Sequence, residues 1–194
     1  MTQRKRKMKK STVCGIVAIG PGDVIGKNGV MPWYSRKDFY HFRTLTTPFP
    51  CMFGKHTFEN LPMRPLPNRL NVVLSSSYQD EFRGGIFCAK TIESAIEKCK
   101  DFPYVFICGG AKVYEYALLH DLIDIMYITK IYDNELAKNI EKNGNDYVRF
   151  PVSTNEFFAS QNWVLKRMLY PEGKLPIECN DITTKFFKYV RVRG

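Results

Sequence analysis

Asp38 is the residue whose type and position most clearly suggest chemistry. It follows Ser35 by three positions, the spacing of a capping box, so a structural role at a helix start is one interpretation. It also directly precedes Phe39 and lies four positions before Phe42, at the edge of an apolar helix face. A carboxylate against aromatic side chains is costly to desolvate unless a donor or a ligand pairs with it. Asp38 is therefore also a candidate functional acid.

Two glycine-containing turns have the composition of phosphate-binding sites. Residues 54–57 (GKHT) and residues 109–112 (GGAK) each follow an apolar run and precede a helical pattern. Free backbone N–H groups at a helix start, with Lys55 or Lys112 beside them, can hold an anion. Either turn alone usually reflects only tight backbone geometry. The presence of both in one chain predicts a dinucleotide with separated phosphates.

Short apolar runs alternate with helical patterns around these residues, which is typical of βαβ units. The apolar run at residues 13–19 predicts a strand that is buried on both faces of a sheet. Ser35 predicts the start of a helix that ends near Leu45, with Phe39 and Phe42 facing the core, and Thr91 predicts the cap of another. Further helices are predicted at residues 55–60 and 111–118, and further strands at 51–53, 71–74, 104–108, 125–131, 163–170 and 185–192, the last three antiparallel.

Two segments lack a regular pattern. Residues 20–33 hold four glycines and two prolines, which is too many for a helix or a strand. They predict a long loop of the kind that often forms a functional lid. Residues 133–146 are polar and rich in lysine and asparagine, and they predict a surface excursion with a short helix at most.

The composition predicts one cytoplasmic domain. A chain of 194 residues with 44% hydrophobic residues can form a single core. Six basic residues lie before position 11, so residues 1–11 predict a disordered basic tail and residues 12–194 a folded domain. A signal-peptide core, a run of about eighteen apolar residues and a C-x-x-C pair are all missing from the sequence. We therefore expect no membrane, no metal and six reduced cysteines.

The net charge of +10 raises the alternative of a basic nucleic-acid-binding module. Six of these charges lie in the predicted tail, so the rest of the chain carries only a mild excess of positive charge. A short terminal run of like charges usually stays in water. We therefore expect no nucleic-acid partner. This alternative predicts an affinity for nucleic acid that falls steeply as the salt concentration rises.

An ordered set of motifs resembles the dihydrofolate reductase family over roughly residues 13–192. The motifs are IGKNG at 25–29, MPW at 31–33, Asp38 with Phe39, Phe42 and Thr46, FGKHTFE at 53–59, RPLPNR at 64–69, VLSS at 73–76, GGAKVY at 109–114 and Thr129. The ordered combination is far more specific than any single motif.

The resemblance implies an α/β fold with a twisted eight-stranded, mostly parallel sheet, an antiparallel C-terminal hairpin and about four flanking helices. It implies an oxidoreductase that transfers hydride from NADPH to C6 of 7,8-dihydrofolate while N5 gains a proton through water. The product would be 5,6,7,8-tetrahydrofolate, which serves one-carbon metabolism. It also implies a cytoplasmic monomer that binds antifolate inhibitors.

The same resemblance implies roles for particular residues. The residues expected to act in catalysis are Asp38, which would bind the pterin, Trp33, which would support the lid, and Thr129. The positions expected to contact the substrate are Val17, Ala18, Asp38, Phe39, Phe42, Leu61, Leu66, Arg69, Cys108, Tyr114 and Thr129. The positions expected to contact the cofactor are Ala18, Ile25, Gly26, Asn28, Gly54, Lys55, His56, Thr57, Leu74, Ser75, Ser76, Lys90, Cys108, Gly109, Gly110, Ala111, Lys112, Val113 and Tyr114. Arg69 would pair with the substrate carboxylate, and the Gly109–Gly110 peptide would be cis.

The chain departs from the family pattern in several places. Cys108 replaces the usual aliphatic residue, Phe53 stands where methionine is common, and Lys55 is often arginine in relatives. One extra residue at Pro62-Met63 precedes the RPLPNR motif, so the match of Arg69 to the family's arginine depends on where the insertion is placed in the alignment. A reductase of the same fold that acts on another pterin or pyrimidine substrate, as in riboflavin biosynthesis, is an alternative. The position of Asp38 one turn into its helix, with Arg69 downstream, favours folate.

Overall fold

The structure, a computed structural model, describes residues 11–160, 163–167 and 182–192. Most of the predicted basic tail, Cys179 and the end of the strand predicted at 163–170 lie outside these ranges. Ser11, the last residue of the predicted tail, is buried, and its hydroxyl donates to the Phe102 carbonyl over 2.7 Å. Ser11 therefore packs as part of the domain.

Eleven strands are present in the described ranges. They are β1 (Thr12–Ile19), β2 (Val24–Lys27), β3 (Cys51–Gly54), β4 (Asn71–Leu74), β5 (Glu81–Arg83), β6 (Ile86–Ala89), β7 (Tyr104–Ile107), β8 (Ile125–Tyr132), β9 (Tyr147–Arg149), β10 (Trp163–Arg167) and β11 (Thr183–Arg191). Nine of them form one sheet in the order β10-β11-β8-β1-β7-β3-β4-β6-β5, and β2 pairs with β9 outside it.

The sheet confirms the predicted architecture. β1 lies between β7 and β8 and is parallel to both, as expected for a strand that is apolar on both faces. β11 pairs antiparallel with β8 and with β10, which gives the C-terminal hairpin. The described sheet has nine strands rather than eight because β5 folds back on β6. Gly84 and Gly85, with φ of 53° and 81°, form the two-residue turn between them.

Six α-helices lie in the described chain, two more than the resemblance implies. They are α1 (Arg36–Thr46), α2 (Lys55–Glu59), α3 (Ile92–Lys98), α4 (Ala111–Leu119), α5 (Asn134–Lys142) and α6 (Thr154–Ser160). The predicted cap of α3 is present, since the Thr91 side chain accepts a hydrogen bond from the Ser94 backbone N–H. No helix in the described ranges has both the length and the apolar character that crossing a membrane requires.

Two helices differ from the sequence prediction. α5 is a regular helix within the segment predicted as a surface excursion, because Leu136 and Ile140, one turn apart, are buried. On α1 the fully buried residues are Asp38, His41 and Thr46, whereas Phe39 and Phe42 are only half-buried. Phe42 nevertheless packs against the core from its border, as predicted, whereas Phe39 packs on Tyr34.

Each face of the sheet carries its own apolar core, because side chains alternate along every strand. The α4 face joins Val13 and Val17 of β1 to buried residues of α3 and α4, such as Ala95 and Leu118. The α1 face joins Cys14, Ile16, Cys51, Phe53, Phe106 and Tyr127 of the strands to α1 and α2. The candidate site lies on the α1 face.

The segment predicted as a loop, residues 20–33, is more regular than expected. β2 lies within it and pairs antiparallel with β9. Asn28 and Gly29, with φ of 51° and 82°, form a tight turn that backbone hydrogen bonds between Lys27 and Val30 close. Asn-Gly is a strong hairpin signal, which the high glycine content of the segment obscured. We call residues 20–33 the lid segment.

A polar contact anchors the start of the lid segment. The Asp23 carboxylate accepts hydrogen bonds from Lys130 Nζ at 3.1 Å and from Thr154 Oγ1 at 2.8 Å. Lys130 belongs to β8, and Thr154 begins α6. The contact therefore ties the lid segment to the sheet and to α6.

Candidate active site

The first turn of α1 holds Asp38 against the sheet. Ser35 Oγ accepts a hydrogen bond from the Asp38 backbone N–H over 3.2 Å, so the helix cap uses the main chain of Asp38. The Asp38 residue is only 8% exposed. His41 follows three positions later, and its ring centroid lies 4.6 Å from that of Phe186 on β11. Because residues three apart share a helix face, Asp38 and His41 face the same part of the sheet.

Thr129 lies in that part of the sheet. It is 1% exposed and stands on β8, in register with Ala18 of β1 and with Phe186 of β11. Tyr127, two residues earlier on β8, belongs to the core of the α1 face, so Thr129 faces α1 as well. The structure thus brings the predicted catalytic residues Asp38 and Thr129 to one region.

Half-buried apolar side chains form a wall beside this region. Four predicted substrate contacts pack against the core of the α1 face and are half-buried: Phe42, Leu61, Leu66 and Cys108. Phe39 is also half-buried, with its ring 5.3 Å from that of Tyr34. Apolar walls around a few polar groups are typical of small-molecule sites. We refer to these five predicted contacts as the apolar wall.

Arg69 lies against the apolar wall at the end of α1. Its guanidinium carbon is 5.9 Å from the centre of the Phe42 ring. Arg69 Nη1 donates to Thr46 Oγ1, and Nε donates to the Pro67 carbonyl over 3.0 Å. These contacts hold the planar guanidinium in one orientation, and its other N–H groups can bind a carboxylate.

Tyr114 connects α4 to β1 under the site. Its hydroxyl donates to the Ile16 carbonyl over 2.6 Å. Burial, and then electrostatic interactions with Cys108 and Asp38, raise the pKa of Tyr114 well above its ordinary value. Tyr114 is therefore a neutral donor at physiological pH, and Asp38 is close enough to act on it electrostatically.

The two predicted phosphate turns lie side by side. The Gly54 backbone N–H donates to the Gly109 carbonyl over 2.7 Å. A Cβ at Gly110 would lie 2.6 Å from Thr57 Oγ1, so a side chain there would collide with α2. The Gly109–Gly110 peptide is cis, as the resemblance implies. The turns meet because β3 and β7 are neighbours in the sheet, which sequence spacing did not reveal.

Polar and basic side chains continue from these turns along one edge of the sheet. The solvent-accessible residues are Lys55 and His56 after β3, Ser75 and Ser76 after β4, Lys90 after β6, and Lys112 in the first turn of α4 after β7. The strands β7, β3, β4 and β6 are consecutive and parallel, so their carboxyl ends meet at this edge. Ligands of open α/β sheets bind outside such carboxyl ends. The cations and hydroxyls here suit phosphate groups.

Trp33 packs the lid segment against the end of β1. A Cβ at Gly20 would lie 2.8 Å from its ring, so glycine permits this contact. The indole Nε1–H is buried and has no acceptor among the described residues. Of the predicted cofactor contacts in this segment, Ile25 and Gly26 are half-buried in β2, and Asn28 is exposed at the tip of its turn.

Some predicted contacts lie elsewhere. The side chain of Val17, a predicted substrate contact, belongs to the core of the α4 face, so the structure does not bring it to the apolar wall. The side chain of Leu74, a predicted cofactor contact, lies in the same core. Strand alternation puts Ile16 on the α1 face instead. Ala111 and Val113 are half-buried in the first turn of α4, beside the second glycine turn.

Two residues of this region were missed by the sequence analysis. Burial lowers the pKa of His41 to about 4, so its ring is neutral at physiological pH. Its position three residues after Asp38 could have placed it on the buried face of α1. Cys51 lies beside Arg69 and Cys108, and their contact depends on strand order, for which the sequence carried no signal.

Together these features define an α/β protein with a buried carboxylate beside a sheet edge suited to phosphates. The family model described as dihydrofolate reductase matches residues 12–162. The chain is 37% identical over 177 residues to the dihydrofolate reductase of Haemophilus influenzae, covering 91% of this chain and 96% of that protein. It is 34% identical over 158 residues to the dihydrofolate reductase of Candida albicans, covering 76% and 81% of the two chains.

A solved structure supports the fold. The dihydrofolate reductase from Enterococcus faecalis, complexed with NADP(H) and RAB-propyl, superposes with a TM-score of 0.68 at 23% identity. The similarity covers 94% of this chain and 97% of that one. The chain belongs to the dihydrofolate reductase family.

Proposed function

We propose that this chain reduces 7,8-dihydrofolate to 5,6,7,8-tetrahydrofolate with NADPH as its cofactor. Its family membership supports this activity. The observation that carries the proposal is the position of Asp38, a buried carboxylate beside the apolar wall and next to the polar sheet edge. A flat heterocycle with amide and amino groups along one side matches this arrangement, because those groups can donate to the carboxylate while the rings contact the wall.

The sheet edge fits a phosphate-bearing dinucleotide. Gly109, Gly110 and Ala111 would hold the pyrophosphate, since the two glycines carry no side chain that could block a close approach to the backbone. Lys55 would hold the 2′-phosphate as a point charge. When bound, the nicotinamide supplies the hydride. The role of the chain is to hold both rings in a productive orientation.

The residues around the pterin would position it and stabilise its charge. Asp38 would accept hydrogen bonds from the pterin edge, with Thr129 in contact beside it. The negative charge of Asp38 favours the protonated pterin electrostatically, so Asp38 does not need to donate a proton to the pterin directly. Trp33 would support the closed lid segment, and its indole N–H could donate to a bound molecule. The apolar wall would exclude bulk water from the reacting atoms.

The proposal includes the setting in which the enzyme works. We infer a cytoplasmic monomer that binds antifolate inhibitors at the apolar wall and that has no nucleic-acid partner. Size-exclusion chromatography with light scattering measures the mass in solution. An antifolate should compete with dihydrofolate, so it should raise KM and leave kcat unchanged.

A direct assay tests the activity. Dihydrofolate added to the protein and NADPH should cause a loss of NADPH absorbance that depends on both compounds. We expect kcat/KM with NADPH to exceed that with NADH by about tenfold or more, which corresponds to about 1.4 kcal/mol. Lys55→Ala should reduce this ratio, whereas Lys100→Ala, at an exposed lysine two residues after the end of α3, should not. A wild-type ratio near unity would contradict the cofactor assignment.

Arg69→Gln should raise KM for dihydrofolate by about tenfold to a hundredfold and change kcat much less. The expected loss is that of one charge-assisted hydrogen-bonded pair, about 1.5–3 kcal/mol. Arg43→Gln is the matched control, because Arg43 is an exposed arginine on α1. Steady-state kinetics on both variants checks the prediction. An equal rise of KM in the two variants would show that only the general charge of this region matters.

A further inference from the structure

Two cysteines meet behind the apolar wall, and the proposed reduction does not use their chemistry. Cys51 begins β3, and Cys108 directly follows β7, the neighbouring parallel strand. Cys51 is in register with Phe106, and the Cys108 backbone N–H donates to the Met52 carbonyl over 2.9 Å. The two cysteines are therefore diagonal neighbours on the α1 face. Their side chains belong to one apolar cluster, and each thiol influences the pKa of the other.

The polar groups around this thiol pair favour a negative charge on it. Burial alone would raise the pKa of Cys51, but the neighbouring Cys108 thiol, the positive charge and N–H groups of Arg69 and the polar Thr46 side chain together lower it. Burial and the neighbouring Cys51 raise the pKa of Cys108. Cys51 is therefore the more acidic of the two thiols and the better nucleophile of the pair.

The two thiols differ in access. Cys51 is fully buried, whereas Cys108 is half-buried among the residues of the apolar wall. The Cys108 thiol can donate to the Phe106 carbonyl, 3.6 Å away, and it can turn from there towards Cys51. A small reagent that enters the cleft would therefore reach Cys108 first and Cys51 second.

The geometry disfavours two common fates of cysteine pairs. Parallel strands lie about 4.8 Å apart and rise about 3.3 Å per residue, so diagonal Cα atoms are about 8 Å apart. A disulfide requires less than about 7 Å. Structural zinc requires four ligands. Within the described ranges, no group of three or more His, Cys, Asp or Glu side chains could hold a metal ion. A single atom that bonds to both sulfurs spans a longer distance than a direct sulfur–sulfur bond and needs only two protein ligands. Such an atom therefore fits this pair better than a disulfide or a zinc ion does.

We propose that Cys51 and Cys108 form a dithiol site for trivalent organoarsenicals, in which one arsenic atom bridges the two sulfurs. With phenylarsine oxide, two arsenic–sulfur bonds replace the arsenic–oxygen bond. Both thiol protons leave with the oxygen as one water molecule. Arsenic remains trivalent, so the step needs no oxidant. The adduct would lie beside Phe42 and Arg69 and obstruct the cleft, a consequence that rests on the proposed function.

Intact-protein mass spectrometry of the full chain tests this site. After treatment with phenylarsine oxide and then excess glutathione, we expect one phenylarsenic adduct, because a chelated arsenic resists a monothiol. The dithiol 2,3-dimercaptopropanol should remove it. Cys51→Val and Cys108→Val should each abolish the glutathione-resistant adduct. Cys14→Val should keep it, since Cys14 is buried on the same face, in register with Phe106 on its other side.

Three outcomes would overturn the proposal: no resistant adduct on the wild type, an adduct that persists in Cys51→Val or Cys108→Val, or its loss in Cys14→Val. Thermal unfolding followed by circular dichroism establishes that each variant is folded. Cys108→Val, at a half-buried position, serves if Cys51→Val does not fold. The mass measurement is independent of enzyme activity. Arsenical inhibition of dihydrofolate reduction in the wild type, absent in Cys51→Val, would then link the thiol pair to the cleft.

Discussion

Asp38→Asn is expected to lower kcat/KM for dihydrofolate by about a hundredfold or more at neutral pH, with NADPH binding preserved. This loss corresponds to about 3 kcal/mol of transition-state stabilisation. Asparagine keeps the size of the side chain but removes the negative charge that favours the protonated pterin. The backbone part of the helix cap is retained, because Ser35 Oγ accepts a hydrogen bond from the backbone N–H of residue 38, which asparagine also has.

Ser35→Ala separates the two interpretations of Asp38. It removes the cap and should lower stability by about 1 kcal/mol, while kcat/KM stays near the wild-type value below the melting temperature. Steady-state kinetics and thermal unfolding of both variants give the comparison. If Asp38→Asn loses stability but not activity, Asp38 serves only the start of its helix, and the proposed mechanism is wrong.

Acidification is expected to destabilise the protein through His41 by about 3 kcal/mol between pH 8 and pH 4. Burial lowers the pKa of His41 to about 4 in the folded protein, whereas an unfolded histidine titrates near 6.5. Between these values the unfolded chain binds a proton that the folded chain does not bind. The contribution of His41 is therefore fully present above about pH 7 and is lost as the pH falls towards 4.

Urea unfolding of the wild type and of His41→Leu at several pH values measures this effect. Leucine cannot titrate and suits the apolar contacts with Tyr127 and Phe186. The variant should therefore show a shallower loss of unfolding free energy between pH 7 and pH 4. His120→Gln, at an exposed histidine, should keep the wild-type slope. Identical slopes for His41→Leu and the wild type would show that other groups dominate acid denaturation.

Features that depend on a few neighbouring residues could be predicted well from the sequence. The helix starting after Ser35 is present, because a serine side chain can cap only the N–H groups two or three positions ahead. The central strand β1 is present, since its continuous apolar run requires burial on both faces. The hairpin at Asn28-Gly29 also depends only on adjacent residues, but the many glycines around it led to the prediction of a long loop instead.

Burial on α1 was harder to predict from composition. Hydrophobicity favoured Phe39 and Phe42 as core residues, yet Asp38 and His41 are the residues that the sheet covers. Phe42 is left at the border, where Arg69 packs on its ring. Intrinsic apolarity ranks residues by average behaviour, whereas the helix orientation, set by all its contacts, decides which of them are buried.

The amino-acid sequence alone determined the kind of elements in this protein, its glycine turns and its candidate acid, because these depend on bonding between nearby residues. The tertiary structure decided which distant segments meet. The turns at Gly54 and Gly109 adjoin, and Cys51 touches Cys108, because β3 and β7 are neighbours in the sheet. These partners are more than fifty residues apart, and the crossover connections between strands, rather than any local pattern, bring them together.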